Sequence, residues 1–220
     1  MVSLGDVRSE TLLVLVGMGR EARIVGGGAA IGAIGLAAGL ARRPAGIVSF
    51  GLAGGLDPAL KAGDLVVGTA VNGVAADAAW TARLTAALPG ARLGAFASGE
   101  AMIATPEAKA ALFDQTGAVA ADMESHLIAR AGIPFAILRA VSDPAGRALP
   151  RAALVGLKAN GEVDIGAVLK ALAADPRQLA ALLRTAREAG AAFRSLRDAR
   201  HLLGPWLGCP YLVQHRLDMA

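Results

Sequence analysis

VAADMESHLIARAGIPFAILRAVSDPA, residues 119–145, reads as a short helix carrying Asp122, Met123 and Glu124 at its start and stopped by Gly132 and Pro134. An apolar strand, Phe135–Val141, follows and delivers Ser142-Asp143-Pro144 to its end. In open α/β sheets ligands bind beyond the carboxyl ends of strands, where loops converge while the strands themselves stay buried. Ser142 and Asp143 therefore stand where chemistry is expected. Arg139 points the same way, because a guanidinium inside an apolar strand loses several kcal/mol of hydration unless it is paired. Asp122, Glu124 and a phosphate ligand are the candidate partners.

Upstream, Leu12–Val16 is a short apolar run ended by Gly17, a buried parallel strand by length and flanks. Gly17–Ala22, GMGREA, fits the dinucleotide fingerprint G-x-G-x-x-A, although Arg42 and Arg43 stand where an acidic ribose partner belongs, which leaves an NADP reading. Glu21 lies close to the strand end. Gly26, Gly27 and Gly28 open a helix-like run to Ala41, and such glycines either surround an anion with backbone N–H groups or form a plain turn. Arg20 and Arg23 nearby favour the anion. Ile24–Ala41 is uncharged, but Gly and Ala dominate it, so it reads as a glycine loop leading into a fully buried helix rather than a membrane span.

Downstream, Ile47–Leu52 is a strand with Ala53-Gly54-Gly55 as its tight exit, and Leu65–Val71 is the next strand. Ala76–Leu88 has helical spacing, with Trp80, Leu84 and Leu88 on a core or interface face. Leu93–Ala97 is a short strand ending in the loop Ser98–Ile103, after which Thr105 caps and Pro106 opens a helix through Phe113. Arg147–Asn160 is irregular, and Val163–Ala173 and Pro176–Leu203 are helical. The last helix sets Arg184, Arg187, Arg194, Arg197 and Arg200 against a leucine-rich face. Such a helix either packs on the domain with its arginines solvated or lies on an anionic membrane surface. The alternation of elements predicts an α/β fold over residues 1–220, one domain around a mixed, mainly parallel sheet, with a basic helical extension from about residue 147.

The length of 220 residues suffices for a three-layer core. Cys209 is the single cysteine, so an internal disulfide framework is excluded and a reducing, cytoplasmic location is expected, at most peripheral to the inner membrane. Net charge is +4, but with 4% aromatic residues few rings exist for base stacking, and no nucleic acid partner is expected. His126, His201 and His215 lack ligand spacing, so no metal is expected either.

The set SFGLAGGL (49–56), GDLVV (63–67), SGEAMI (98–103), DMES (122–125) and RAVSDPA (139–145) resembles, in order and spacing, the purine nucleoside phosphorylase and nucleosidase superfamily. Within it the chain is most similar to the hopanoid-associated phosphorylases, through ADMESH, SDPA and a basic extension beginning LPRAALVG. The resemblance implies a three-layer nucleoside phosphorylase-like fold and a homo-oligomer. It also implies phosphorolysis of adenosylhopane, an adenine nucleoside with a large apolar 5′ substituent, by a glycosyltransferase of the pentosyl class. Inorganic phosphate would be the co-substrate, with no other cofactor, and adenine and a phosphoribosyl hopanoid the products.

Breaking C1′–N9 builds negative charge on the purine and oxocarbenium character on the ribose, so an acid near N7 and a carboxylate at the sugar hydroxyls both help. By the resemblance Asp143 is the purine acid, Glu124 accepts the ribose hydroxyls and Met123 packs under the ribose. Met102 and Ile103 line the base, Ser142 orients Asp143, and the Ala53-Gly54 exit lets the substrate touch backbone. To donate, Asp143 must carry a proton, which asks for a dry, apolar pocket. Gly26–Gly28 with Arg20, Arg23 and Arg139 would bind phosphate. Glu21 matches the position at which nucleosidases activate water, so a hydrolytic methylthioadenosine or adenosylhomocysteine nucleosidase is the rival. An NADP-binding oxidoreductase and a non-catalytic nucleoside-binding module are the readings from other classes. The chain departs from the family pattern at Leu52, at Met102 and in its short interval between Glu21 and the glycines.

Overall fold

In the computed structural model, which describes residues 9–26, 28–155 and 164–210, strand β1 (Ser9–Val16) leads into helix α1 (Gly19–Val25), and β2 (Ala30–Ile31) into α2 (Gly32–Leu40). There follow β3 (Pro44–Gly55), β4 (Leu65–Val71), β5 (Val74–Ala75), α3 (Ala78–Ala87), β6 (Arg92–Ser98) and α4 (Pro106–Thr116). The chain continues through β7 (Ala120–Asp122), α5 (Ser125–Ala129) and β8 (Phe135–Asp143) into α6 (Arg151–Val155), α7 (Ile165–Ala174) and α8 (Gln178–Leu203).

The sheet is mixed. Pairings β1–β2, β1–β3, β3–β8, β4–β6 and β6–β7 are parallel, and β3–β7, β4–β5 and β4–β8 antiparallel. Because β8 pairs with both β3 and β4, the path from β3 through β7, β6 and β4 returns to β3. That position covers β8 on both edges, and its side chains are buried on both faces, which is why it reads as an almost unbroken apolar run. Period-two alternation sorts the core: Leu13, Leu15, Ile47 and Ile137 enter one cluster with α2 and α5, while Val14, Val16, Val48 and Leu138 enter the other with α1, α3 and α8. Helices therefore cover both faces of the sheet. Trp80 is core, fully buried, with its indole N–H donating to the Leu207 carbonyl at 2.8 Å.

Several expectations are corrected. Asp122 closes a strand rather than opening a helix, because β7 is held between β3 and β6; α5 begins at Ser125, whose N–H the Asp122 carboxylate accepts at 3.1 Å. The glycines do not open a helix. Gly26 ends α1 in the left-handed conformation with φ 98°, its N–H bonded to Ala22 O, and β2 intervenes before α2. α2 is not fully buried: only Leu36 is, and Ile34 is 89% exposed. Small residues give that helix close approach to β1 on one side, where Gly39 faces Leu13, but leave its other side uncovered. The stretch after Arg147 contains α6, while 156–160 and Val163 lie outside the described residues. The second half of α8 packs on the domain through Phe193, Leu196 and Ala199. Among the described residues no helix is long and apolar enough to cross a membrane.

Candidate active site

Glu21 sits in the first turn of α1 and its carboxylate reaches back over the turn from β1. Oε2 accepts the N–H groups of Gly17 at 2.8 Å and Met18 at 2.9 Å, and Oε1 accepts that of Leu52 at 2.7 Å. Leu52 acts here through its backbone, so a hydroxyl side chain is not needed for this bond. Burial raises the Glu21 carboxyl above the ordinary value of 4.5, against the lowering pull of Arg139 and the Leu52 N–H, and Glu124 adds to the rise. The folded protein thus keeps a proton on Glu21 where the unfolded chain has released it. That contribution to stability is fully present below pH 4.5 and declines as pH rises above it. Denaturant titrations over this range should show Glu21→Gln lacking that part of the slope, and superimposable slopes would contradict the raised carboxyl.

Arg139 enters from β8, paired with Gly51 of β3 on one side and Val66 of β4 on the other. Its guanidinium is fully buried. Nη2 donates to Ser49 Oγ at 2.5 Å and lies 3.1 Å from Glu124 Oε2, and Nη1 donates to Leu52 O at 3.2 Å. Nε stands 3.0 Å from Asp122 Oδ2, an ion pair without hydrogen-bond alignment. The Ser125 hydroxyl is within reach of both Ser49 Oγ, at 2.8 Å, and the Asp122 carboxylate. Burial opposes the charge of Arg139, but Asp122, Glu124 and Glu21 more than offset it, so its pKa is raised and it stays a cation.

Two glycines make this convergence possible by close approach. A Cβ on Gly17 would stand 2.5 Å from Glu124 Oε1, and one on Gly51 would stand 2.4 Å from Glu21 Oε1 and 2.8 Å from Arg139 Nη1. The first glycine of the apparent dinucleotide fingerprint is thus explained by Glu124.

Two residues along β3, about 7 Å from Leu52, Gly54 pairs with Asp143. Asp143 is not in an apolar pocket. Its Oδ2 is 2.6 Å from the ammonium of Lys109, a fully buried residue of α4. The same ammonium donates to the carbonyls of Asp143 (3.1 Å), Pro144 (3.1 Å) and Arg147 (3.3 Å), fastening the loop after β8 onto α4. The Ser142 hydroxyl lies 2.6 Å from Asp143 Oδ1 and 3.3 Å from the Ala53 carbonyl. Both carboxyl oxygens therefore have donors.

The structure brings Glu21, Glu124 and Arg139 together, and beside them Ala53, Gly54, Ser142 and Asp143. Met123 is half-buried between β7 and α5. Ile103, half-buried, and Met102, exposed, lie on the β6–α4 loop, which is tied to β7 by the Gly99 N–H on Asp122 O at 3.2 Å. The expected phosphate set is not assembled. Arg20 and Arg23 are exposed and turn to α8, because Glu21 takes the inward side of α1, and Arg139 is taken up by carboxylates. Gly26 and Gly28 lie at the end of α1, and Gly27 is outside the described residues. Ser49, Ser125 and Lys109 are site residues the sequence reading missed. Ser49 is the polar interruption of an apolar strand, a usable signal; Lys109 has none. His126 bonds through Nδ1 to Ser98 Oγ at 3.1 Å, His201 is exposed on α8, and His215 is outside the described residues.

A mixed α/β sheet with helices on both faces, and carboxylates gathered around one guanidinium at the strand ends, are the features to compare with known proteins. The family model described as the phosphorylase superfamily matches residues 4–188, and the chain belongs to that family. No curated protein matches. Among solved structures, that of a mutant 5′-methylthioadenosine/S-adenosylhomocysteine nucleosidase from Helicobacter pylori with 5′-methylthioadenosine in the active site is 17% identical, over 86% of this chain and 97% of that one, with a TM-score of 0.57. The Campylobacter jejuni nucleosidase is 17% identical over 86% and 99%, TM-score 0.55. Futalosine hydrolase of Helicobacter pylori is 18% identical over 85% and 97%, TM-score 0.54. At these identities the likeness is one of fold.

Proposed function

We propose that this protein cleaves the N-glycosidic bond of an adenine nucleoside with water as the nucleophile. The observation that carries this reading is the charge balance of the site: Asp122 and Glu124 are paired with a single guanidinium, Arg139, and Glu21 stands beside them. Negative charge fixed beside the ribose favours the oxocarbenium character of the transition state. It opposes entry of a phosphate dianion, for which the cluster offers no uncommitted cation. Glu21, held by three N–H groups and raised by burial, suits a base that takes a proton from water. Glu124 accepts the ribose hydroxyls over Met123, Met102 and Ile103 line the base, and Asp143, beside the Lys109 ammonium, takes a proton from solvent and delivers it to N7, while the proton that Glu21 takes from the attacking water returns to solvent. The Helicobacter pylori nucleosidase with 5′-methylthioadenosine bound supports an adenine nucleoside as substrate.

The ADMESH and SDPA motifs support a second reading, phosphorolysis of adenosylhopane by a cytoplasmic homo-oligomer. Exposed Leu179 and Leu183 beside Arg184 and Arg187 on α8 support peripheral membrane contact for such an enzyme. Adenine release from methylthioadenosine and from adenosylhopane, each with and without inorganic phosphate, tests both. Phosphate-independent release is expected. Release that requires phosphate would replace hydrolysis by phosphorolysis, and no release from either nucleoside would remove both readings.

A further inference from the structure

The outer side of α1 carries chemistry that the reaction does not use. Arg20, Arg23 and Ile24 face α8, and with Arg197 and His201, one turn apart on that helix, they line a groove of about 370 Å³. No carboxylate lines it. Among the described residues Arg20, Arg23 and Arg197 enter no ion pair, whereas Arg92, Arg139 and Arg147 all do. Asp198, the neighbour of Arg197, is exposed but is not part of the lining.

The groove is held in shape. The Arg20 guanidinium lies 4.1 Å from the centroid of the Phe193 ring, which orients its plane and leaves its N–H edges uncommitted. The Arg200 Nε–H donates to the Val25 carbonyl at 3.1 Å, pinning α8 to the last turn of α1. Three guanidiniums facing one cavity repel one another, and a bound anion relieves that repulsion. The planar fork of arginine matches phosphate oxygens two at a time.

We propose that this groove between α1 and α8 binds a phosphate-bearing anion, at a site separate from the carboxylate cluster on the inner side of α1. The shared chemistry is a phosphate group, supplied either by a small soluble phosphate or by the headgroup of an anionic lipid. The inference does not rest on the reaction assigned above, and binding rather than activity is its readout.

Inorganic phosphate and pyrophosphate titrated calorimetrically into the full chain, and co-sedimentation with phosphatidylglycerol or phosphatidylcholine vesicles, separate the two sources. Arg23→Gln/Arg197→Gln removes two exposed cations and should weaken whichever binding is found by at least about tenfold. Arg23→Lys/Arg197→Lys keeps the charges but not the forks and should recover only part of it. The proposal is overturned if none of the soluble anions binds saturably and anionic vesicles retain no more protein than neutral ones, or if the Gln pair binds like the parent.

Discussion

Arg139→Met should destabilise the protein by about 3–5 kcal/mol, because removing one partner of a buried ionic cluster leaves the others charged and uncompensated. Against a typical total of roughly 5–15 kcal/mol, this brings the fold close to collapse at ordinary temperature. Asp122, Glu124 and Glu21 are left without the neighbouring positive charge, and Ser49 Oγ and the Leu52 carbonyl lose a donor. Urea denaturation followed by circular dichroism reads the effect. Arg139→Lys should lie between, since one ammonium cannot reach both carboxylates and both neutral acceptors at once. A midpoint for Arg139→Met equal to that of the parent would mean that the cluster is not held by this charge.

Glu21→Gln should lower adenine release by about 10²–10⁴-fold, the range that a positioned base contributes. The fall belongs in kcat rather than KM, because Glu21 is assigned to water and Glu124 to the sugar. One amide oxygen still accepts from either the Gly17 and Met18 pair or Leu52 while the amide NH2 faces the other donor, so a thermal scan is run beside the assay to separate lost stability from lost catalysis. In the parent, the base must be ionised to act, and burial raises its carboxyl, so the rate should decline on the acid side beginning above pH 4.5. Release within a few-fold of the parent would transfer the role of base elsewhere.

Much of this was legible in the chain because it rests on local pattern. The strand around Arg139, the exit Ala53-Gly54, and the end Ser142-Asp143 follow from apolar runs bounded by small residues, and Arg139 advertised its need of carboxylates by standing alone among Ile137, Leu138 and Ala140. What stayed hidden depends on pairing across the sheet. DMES carries helix-start residues, yet β3 and β6 capture Ala120–Asp122 as a strand, an outcome that no property of those three residues announces. Lys109 looks like a solvated helix charge until Pro144 and Arg147 fold over it. Arg20 and Arg23 flank Glu21 in sequence, and only the rotation of α1 against α8 sends them to the opposite side.

The bonds that define the site are long in sequence as well as short in space. Leu52 to Glu21 spans 31 residues, Ser125 to Ser49 spans 76, and Arg139 to Ser49 spans 90. Closing loops of that length is entropically unfavourable and gains nothing until both ends arrive, so high contact order governs this region. A half-folded chain holds Arg139 and its carboxylates in water as ordinary, unassociated charges. Completion of the sheet and assembly of the candidate site are therefore expected as one kinetic event, with recovered turnover after refolding as its readout.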